Sequence, residues 1–142
     1  MGGAFTLHER LAADSVAVGA AALCEIRLMN DRRYPWLMLV PRRPGLREIH
    51  ELPEAERRQL VEEIAAASRA LQALSGAEKM NVGALGNLVP QLHVHVVARR
   101  AGDPAWPGPV WGHGRAEPYE AQALAAWIDR LRRALAPLLA GQ

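Results

Sequence analysis

Two histidines stand one residue apart in the largely apolar stretch NLVPQLHVHVV, which covers residues 87–97. In a β-strand, successive side chains point to opposite faces, so His93 and His95 would share one face with Gln91. The residues between them are apolar and would form the buried face, which fixes the register of the strand. At this spacing the two imidazoles stand about 6.5–7 Å apart at the backbone, close enough to reach one small group.

Three kinds of chemistry suit such a pair, besides the structural alternative of an ordinary polar strand face. The pair could supply two metal ligands, but a catalytic zinc site usually needs a third protein ligand. His50, His113 or Asp103 would have to provide it from loops, and their spacing gives no sign of this. The pair could also move protons near neutral pH. Finally, one imidazole could attack phosphorus while a hydrogen bond to its other nitrogen fixes the tautomer.

A glycine-containing turn precedes the histidines and could serve the same chemistry. Gly83, Gly86 and Asn87 lie where unhindered backbone N–H groups could approach an anion. A tight hairpin is the alternative explanation of these residues. The turn is therefore a candidate phosphate-binding element only if the histidine strand is a site.

The elements that would hold these residues form an α+β pattern. A long helix is predicted from Pro53 to Gly76, which are typical first-turn and terminating residues. A capping box at Thr6 predicts a short helix over residues 7–13, and a last helix is predicted to start at Pro118. Strands are predicted at residues 16–20, 23–29, 36–40, 79–85 and 91–98. Short strands interrupted by one long helix indicate an antiparallel sheet of about five strands.

The whole chain limits the classes of function. Its 142 residues fit one domain spanning residues 1–142, and half of them are hydrophobic. The net charge of +2 comes from dispersed arginine pairs, so a nucleic-acid partner is not expected. An apolar run of about 18 residues is lacking, which argues against a membrane span. Cys24 is the single cysteine and no secretory pattern opens the chain, so a cytoplasmic location is expected.

The stretch Gln91-Leu92-His93-Val94-His95-Val96-Val97 resembles the signature of the histidine triad (HIT) superfamily, in which three histidines alternate with apolar residues. Residues 80–83 and 86–90 resemble the asparagine-containing strand and glycine turn that lead into that triad. Residues 28–41 resemble its paired strands that end in an apolar-proline step. The resemblance covers about residues 23 to 100, and it is closest to a dinucleoside polyphosphate hydrolase-like branch with glutamine first in the triad.

The resemblance implies a nucleotide hydrolase or nucleotidyl transferase. In such enzymes the middle histidine, here His93, attacks the α-phosphate of a phosphoanhydride or phosphoramidate and forms a nucleotidyl-histidine. His95 would hydrogen-bond the phosphate or the departing group, and Gln91 would complete the catalytic set. Diadenosine polyphosphates are examples of the substrates implied.

The resemblance also implies a set of substrate-binding residues and partners. Asn30 would contact the ribose, Asn81 would lie near the phosphate, and the amides of Gly86 and Asn87 would face it. No metal ligand is implied, although magnesium could arrive with the nucleotide. A homodimer with sheets joined across the interface is expected.

Three residues depart from the family pattern. Gln91 replaces the first histidine, and an amide can donate to a phosphoryl oxygen but cannot relay a proton. Leu88 stands where many members carry serine or threonine, and Trp36 where several carry histidine. A nucleotide-binding or regulatory module with weak catalysis, or a transferase, is therefore the alternative function. The tryptophans of residues 106–112 could stack on a base or bury against the body of the protein.

Overall fold

The computed structural model describes residues 3–139 and contains one five-stranded antiparallel sheet in the order β1-β2-β3-β5-β4. The strands are β1 (Ser15–Ala20), β2 (Cys24–Met29), β3 (Trp36–Pro41), β4 (Lys79–Gly83) and β5 (Val94–Arg99). The helices are α1 (Glu9–Asp14), α2 (Glu54–Ser75), α3 (Ala121–Ala134) and α4 (Ala136–Leu139), with a 3-10 turn at Ile49–Glu51. The predicted α+β fold, with its long helix between strands and its C-terminal helix, is confirmed.

The two faces of the sheet have different partners. Leu37 and Leu39 of β3 belong to the main core, to which α2 and α3 contribute their buried faces. Met38, one residue away, points to the opposite face and packs in a smaller cluster with Leu11 of α1. His95 lies opposite Met38 in the β3–β5 ladder, so it also points away from α2 and α3. The histidine face is therefore covered by α1 and loops rather than by the long helices.

The long helix follows the predicted signals at both ends. It begins directly after Pro53 and ends at Gly76, whose φ of 70° is the left-handed conformation that glycine adopts without strain. Within the helix, the fully buried Glu63 accepts hydrogen bonds from the backbone N–H groups of Leu23 and Cys24. These two bonds fix the start of β2 against α2 and so help to hold the sheet in register.

Several predicted boundaries were wrong. His8, not Thr6, caps the first helix, because its Nδ1 accepts a hydrogen bond from the Arg10 N–H at 3.0 Å. The histidine strand begins at Val94, three residues later than predicted. Its ladders with β3 and β4 extend no further back than Val94 and His95, so the preceding residues have no partner strand. The last long helix begins at Ala121 rather than at residue 118.

Two further predictions, on the Pro-, Gly- and Trp-rich segment and on membrane spans, can be compared with the structure. Residues 103–114 form turns and bends without helix or strand, as their Pro, Gly and Trp content predicts. Across residues 3–139, no helix combines the length and the apolar character that crossing a membrane requires.

Candidate active site

A pocket of about 440 Å³ opens on the face of the sheet that carries the histidines. His95 of β5 and Met38 of β3 line it from the sheet, together with His93 just before β5. Helix α1, the turn of residues 85–89 and Trp111 form the walls. The pocket therefore combines two imidazoles with a mainly apolar lining, which suits a small ligand with one polar end.

His93 lines this pocket, and one of its two ring nitrogens is engaged by the backbone. Its Nδ1 lies 2.7 Å from the main-chain oxygen of Gln91, and a carbonyl oxygen can only accept. We therefore assign the hydrogen of the ring to Nδ1, which leaves a lone pair on Nε2. Because the acceptor is a main-chain atom, this tautomer does not depend on the side chain at position 91.

His95 has the opposite tautomer. The indole N–H of Trp36 donates to its Nδ1 at 3.0 Å, and an indole nitrogen has no acceptor capacity. The hydrogen of the neutral ring is therefore on Nε2. Burial, reinforced by the neighbouring His93, lowers the pKa of His95 from 6.5 to about 3. His95 is thus an uncharged hydrogen-bond donor at neutral pH, and its ring centroid is 4.9 Å from that of His93.

The two tryptophans of the loop after β5 have different environments. Trp111 lines the pocket and meets His95 edge to face, with ring centroids 5.6 Å apart. Trp106 lies outside the pocket lining, where the guanidinium of Arg99 sits 5.6 Å from its ring. Stacking of a base on either ring remains a prediction, and the geometry makes Trp111 the residue to test.

The glycine turn lies beside the histidines. Gly86 and Asn87 both line the pocket, and Gly86 has a φ of 68° that favours glycine. Gly83 does not line it, and as the last residue of β4 it pairs with His95 in the ladder. Two exposed leucines of this turn, Leu85 and Leu88, also line the pocket. The turn therefore offers backbone groups and apolar surface to a ligand, without a hydroxyl.

The side chain of Gln91 turns away from the pocket, contrary to the shared strand face predicted from alternation. Its Oε1 accepts a hydrogen bond from the N–H of His8 at 2.8 Å, and its Nε2 donates to the carbonyl of Thr6 at 2.9 Å. Residues 91–93 precede β5, and the amide of Gln91 is held by the backbone of the segment before α1 instead. A catalytic role for this amide is not supported by its contacts.

The two asparagines predicted to bind substrate also lie outside the pocket lining. Asn30 accepts a hydrogen bond from the N–H of Tyr119 at 2.9 Å through its side-chain oxygen. Asn81 likewise accepts from the guanidinium of the buried Arg99 at 2.8 Å. Both side chains anchor neighbouring segments of the protein in this structure. Their assignment to a substrate stays a prediction that these contacts do not support.

Helix α1 contributes residues that the sequence did not single out. Arg10, Leu11 and Asp14 line the pocket, although they precede the histidines by about eighty residues. No local motif announces them, because the link is the tertiary contact between Gln91 and the segment before α1. The one available signal was the amide of Gln91 itself, an unexplained polar residue in an apolar stretch.

The metal-site alternative finds no third ligand in the described structure. Within residues 3–139, no group of three or more His, Cys, Asp or Glu side chains is arranged to hold a metal ion. His113 is exposed, and Asp103 is paired with Arg99 through Oδ2 at 2.7 Å. The residues predicted as possible third ligands are therefore not brought to the histidine pair.

Comparison with known proteins identifies the family. The HIT domain pattern matches residues 10–102, which contain the whole sheet and both histidines. This chain belongs to the HIT family. HIT proteins are generally nucleotide hydrolases or nucleotidyl transferases.

Solved HIT structures match the fold along nearly the whole chain. A histidine triad protein from Marinobacter aquaeolei is 50% identical, with a TM-score of 0.93 over 96% of this chain and 99% of that one. One from Sinorhizobium meliloti is 50% identical, with a TM-score of 0.90 and coverage of 92% and 97%. One from Bradyrhizobium japonicum is 47% identical, with a TM-score of 0.91 and coverage of 93% and 98%. The search of curated proteins returned no match.

Proposed function

We propose that this HIT protein hydrolyses a nucleotide phosphoanhydride, such as that of a diadenosine polyphosphate, through a covalent intermediate on His93. The observation that carries the proposal is the hydrogen bond between His93 Nδ1 and the main-chain oxygen of Gln91. It leaves the lone pair of Nε2 free on a side chain that lines the pocket. A fixed tautomer with one free nitrogen is what nucleophilic catalysis by histidine requires.

In the first step, Nε2 of His93 forms a bond to the α-phosphorus as the bond to the leaving phosphate oxygen breaks. The electron pair of that bond leaves with the phosphate. The imidazole then carries positive charge, and its Nδ1–H bond to the Gln91 carbonyl strengthens as that charge develops. In the second step, water attacks phosphorus, the phosphorus–nitrogen bond breaks, and a proton is released with the nucleoside monophosphate.

His95 supports this reaction as a hydrogen-bond donor. Its Nε2–H can donate to a phosphoryl oxygen, since Trp36 occupies its Nδ1. Donors placed where charge develops are commonly the largest electrostatic contribution to catalysis. The amides of Gly86 and Asn87, which line the same pocket, are proposed to contact the phosphate as well.

The same geometry favours a phosphate leaving group over an amine. An amine leaving group must gain a proton, whereas a phosphate can leave as an anion near neutral pH. A neutral His95, with its pKa lowered to about 3, has no proton in excess to give. Gln91 cannot relay a proton, and its amide points out of the pocket. We therefore place phosphoanhydrides before phosphoramidates as substrates.

Turnover measurements test this proposal. We expect diadenosine tetraphosphate to be cleaved with a higher kcat/KM than adenosine 5′-phosphoramidate. The substitution His93→Ala should lower kcat at least about a thousandfold, as loss of a nucleophile does. The matched control is His113→Ala, which removes an exposed histidine outside the pocket. Turnover by His93→Ala equal to that of His113→Ala would contradict the proposal.

The second candidate function is a nucleotide-binding module with little catalysis. Leu88 favours it, because this leucine is 81% exposed on the pocket turn and offers no donor to a phosphate. The displaced amide of Gln91 favours it as well. Micromolar binding of adenosine monophosphate without cleavage of either substrate would support this function over hydrolysis. Transfer to another acceptor would appear as a nucleotidyl product instead of the free monophosphate.

The location, the oligomeric state and the form of the substrate are proposed as well. We propose a cytoplasmic homodimer whose nucleotide substrate can arrive with magnesium bound to its phosphates. The β4 strand is an edge of the sheet, and its Val82 is 49% exposed. Edge strands with unpaired backbone groups are the places where a sheet can continue into another chain. These features support pairing of two copies through β4.

A further inference from the structure

Helix α1 brings two charged side chains to the wall of the pocket. Among residues 3–139, Asp14 is the one carboxylate and Arg10 the one lysine or arginine that line it. The two form an ion pair at 3.7 Å, and their side chains are 53% and 59% exposed. A carboxylate repels the phosphates of a nucleotide, so Asp14 must face a part of the ligand that donates hydrogen bonds without negative charge.

Asp14 lies at the pocket end formed by the finish of β2. The N–H of Asn30 donates to the main-chain oxygen of Asp14 at 3.0 Å, which joins α1 to the residue after Met29. Met29 lines the pocket at this point, while the side-chain oxygen of Asn30 already accepts from Tyr119. Asp14 therefore brings a carboxylate, whose partner is Arg10, to this end of the pocket, while Asn30 lies outside the lining.

Gln91 ties this wall to the nucleophile. Its side chain binds the backbone of Thr6 and His8, the two residues that lead into α1. Its main-chain oxygen accepts from Nδ1 of His93. One residue thus holds the histidine with its backbone and the α1 segment with its amide, and it sets the distance between them.

We infer that Asp14 determines sugar specificity by accepting hydrogen bonds from the ribose hydroxyls, and that Gln91 is a positioning residue that acts through α1. A vicinal diol matches the inference, because two neutral O–H donors can bind the two oxygens of one carboxylate. Arg10 lies beside that carboxylate as its ion-pair partner. This inference rests on the proposed nucleotide substrate and names the group that selects its sugar.

The first test compares diadenosine tetraphosphate with its bis-2′-deoxy analogue. We expect the wild-type protein to prefer the ribose form about 10- to 100-fold in kcat/KM, as for a charge-assisted hydrogen bond. Asp14→Asn should reduce that preference to about threefold or less. The matched control is Asp129→Asn on α3, which also removes an exposed i,i+4 partner of an arginine but lies outside the pocket. An unchanged preference in Asp14→Asn would overturn the inference.

The second test separates positioning by Gln91 from proton transfer. Gln91→Met keeps the main-chain acceptor of His93 and removes the amide bonds to Thr6 and His8. We expect Gln91→Met to lower the ribose preference. The double variant with Asp14→Asn should show the same preference as Asp14→Asn alone, because both substitutions act on one contact. If Gln91→Met lowered kcat/KM equally for diadenosine tetraphosphate and its bis-2′-deoxy analogue, the positioning role would be contradicted. Circular dichroism establishes folding, and Asp14→Asn tests the inference should Gln91→Met fail to fold.

Binding measurements keep this inference distinguishable from the proposed function. If the wild-type protein cleaves neither substrate, hydrolysis is refuted, while the sugar preference can still be read from calorimetry. Adenosine monophosphate should then bind at least about tenfold more tightly than 2′-deoxyadenosine monophosphate in wild type but not in Asp14→Asn. Equal affinities of wild type for the two nucleotides would overturn the inference by itself.

Discussion

The buried, neutral state of His95 predicts a specific dependence of stability on pH. The structure lowers the pKa of His95 to about 3, first through burial and then through His93, whereas an unfolded histidine titrates near 6.5. Below pH 6.5 the unfolded chain therefore binds a proton that the folded protein does not. The stability linked to neutral His95 is fully present above pH 6.5 and is lost as the pH falls from 6.5 toward 3.

The magnitude follows from these two pKa values. Near pH 5 the unfolded state carries almost one more proton than the folded state, so stability changes by about 1.4 kcal/mol per pH unit. Integration from pH 7 to pH 5 gives a loss of about 2 kcal/mol from His95 alone. This is a large part of the stability of an ordinary domain, which is about 5–15 kcal/mol.

Urea unfolding at pH 7, 6 and 5 measures this loss. His95→Gln removes the titrating group while keeping an amide that can accept from Trp36. We expect the wild-type free energy of unfolding to fall by about 2 kcal/mol more than that of His95→Gln over this range. His113→Gln, at an exposed position, should follow the wild type. All profiles are measured at one fixed protein concentration. Parallel pH profiles for wild type and His95→Gln would refute the burial argument.

Two further predictions concern the support of His95 and the edge of the sheet. Trp36→Phe removes the donor to His95 Nδ1, so we expect about 1 kcal/mol less stability and a kcat lowered about tenfold, since the imidazole can then take either tautomer. Unaltered kcat in Trp36→Phe would show that this tautomer is unimportant. Val82→Lys places a charge on the exposed edge strand, and we expect light scattering to show a dimer in wild type and a monomer in the variant. A wild-type monomer would exclude the dimer.

The sequence predicted the parts of the fold that depend on local chemistry. The long helix was recognised from Pro53 and Gly76, and both residues lie at its ends in the structure. The position of His95 on a strand face opposite the apolar residues also followed from alternation. Such features are set by residues close in sequence, so a hydrophobic repeat of two or 3.6 residues predicts them.

The errors have a common physical cause, because they concern side chains whose partners lie far away in the sequence. Gln91 was read as a third member of the catalytic face, but it binds a segment about eighty residues earlier. The substrate contacts of Asn30 and Asn81, implied by resemblance, stay predictions, and their side-chain oxygens accept from Tyr119 and Arg99 in the structure. Asp14 was missed, since it reaches the pocket only through the packing of α1. Long-range hydrogen bonds of this kind leave no periodic signal in one sequence.

The central claim is that His93 attacks phosphorus, and trapping its adduct tests that claim most directly. The protein is mixed with diadenosine tetraphosphate, quenched in base within a turnover, digested, and analysed by mass spectrometry. We predict an adenylyl group on the peptide that contains His93, attached to that histidine, and its absence from His93→Ala. An adenylyl group on His95 or on another residue, or turnover with no adduct in a wild-type burst, would contradict the account.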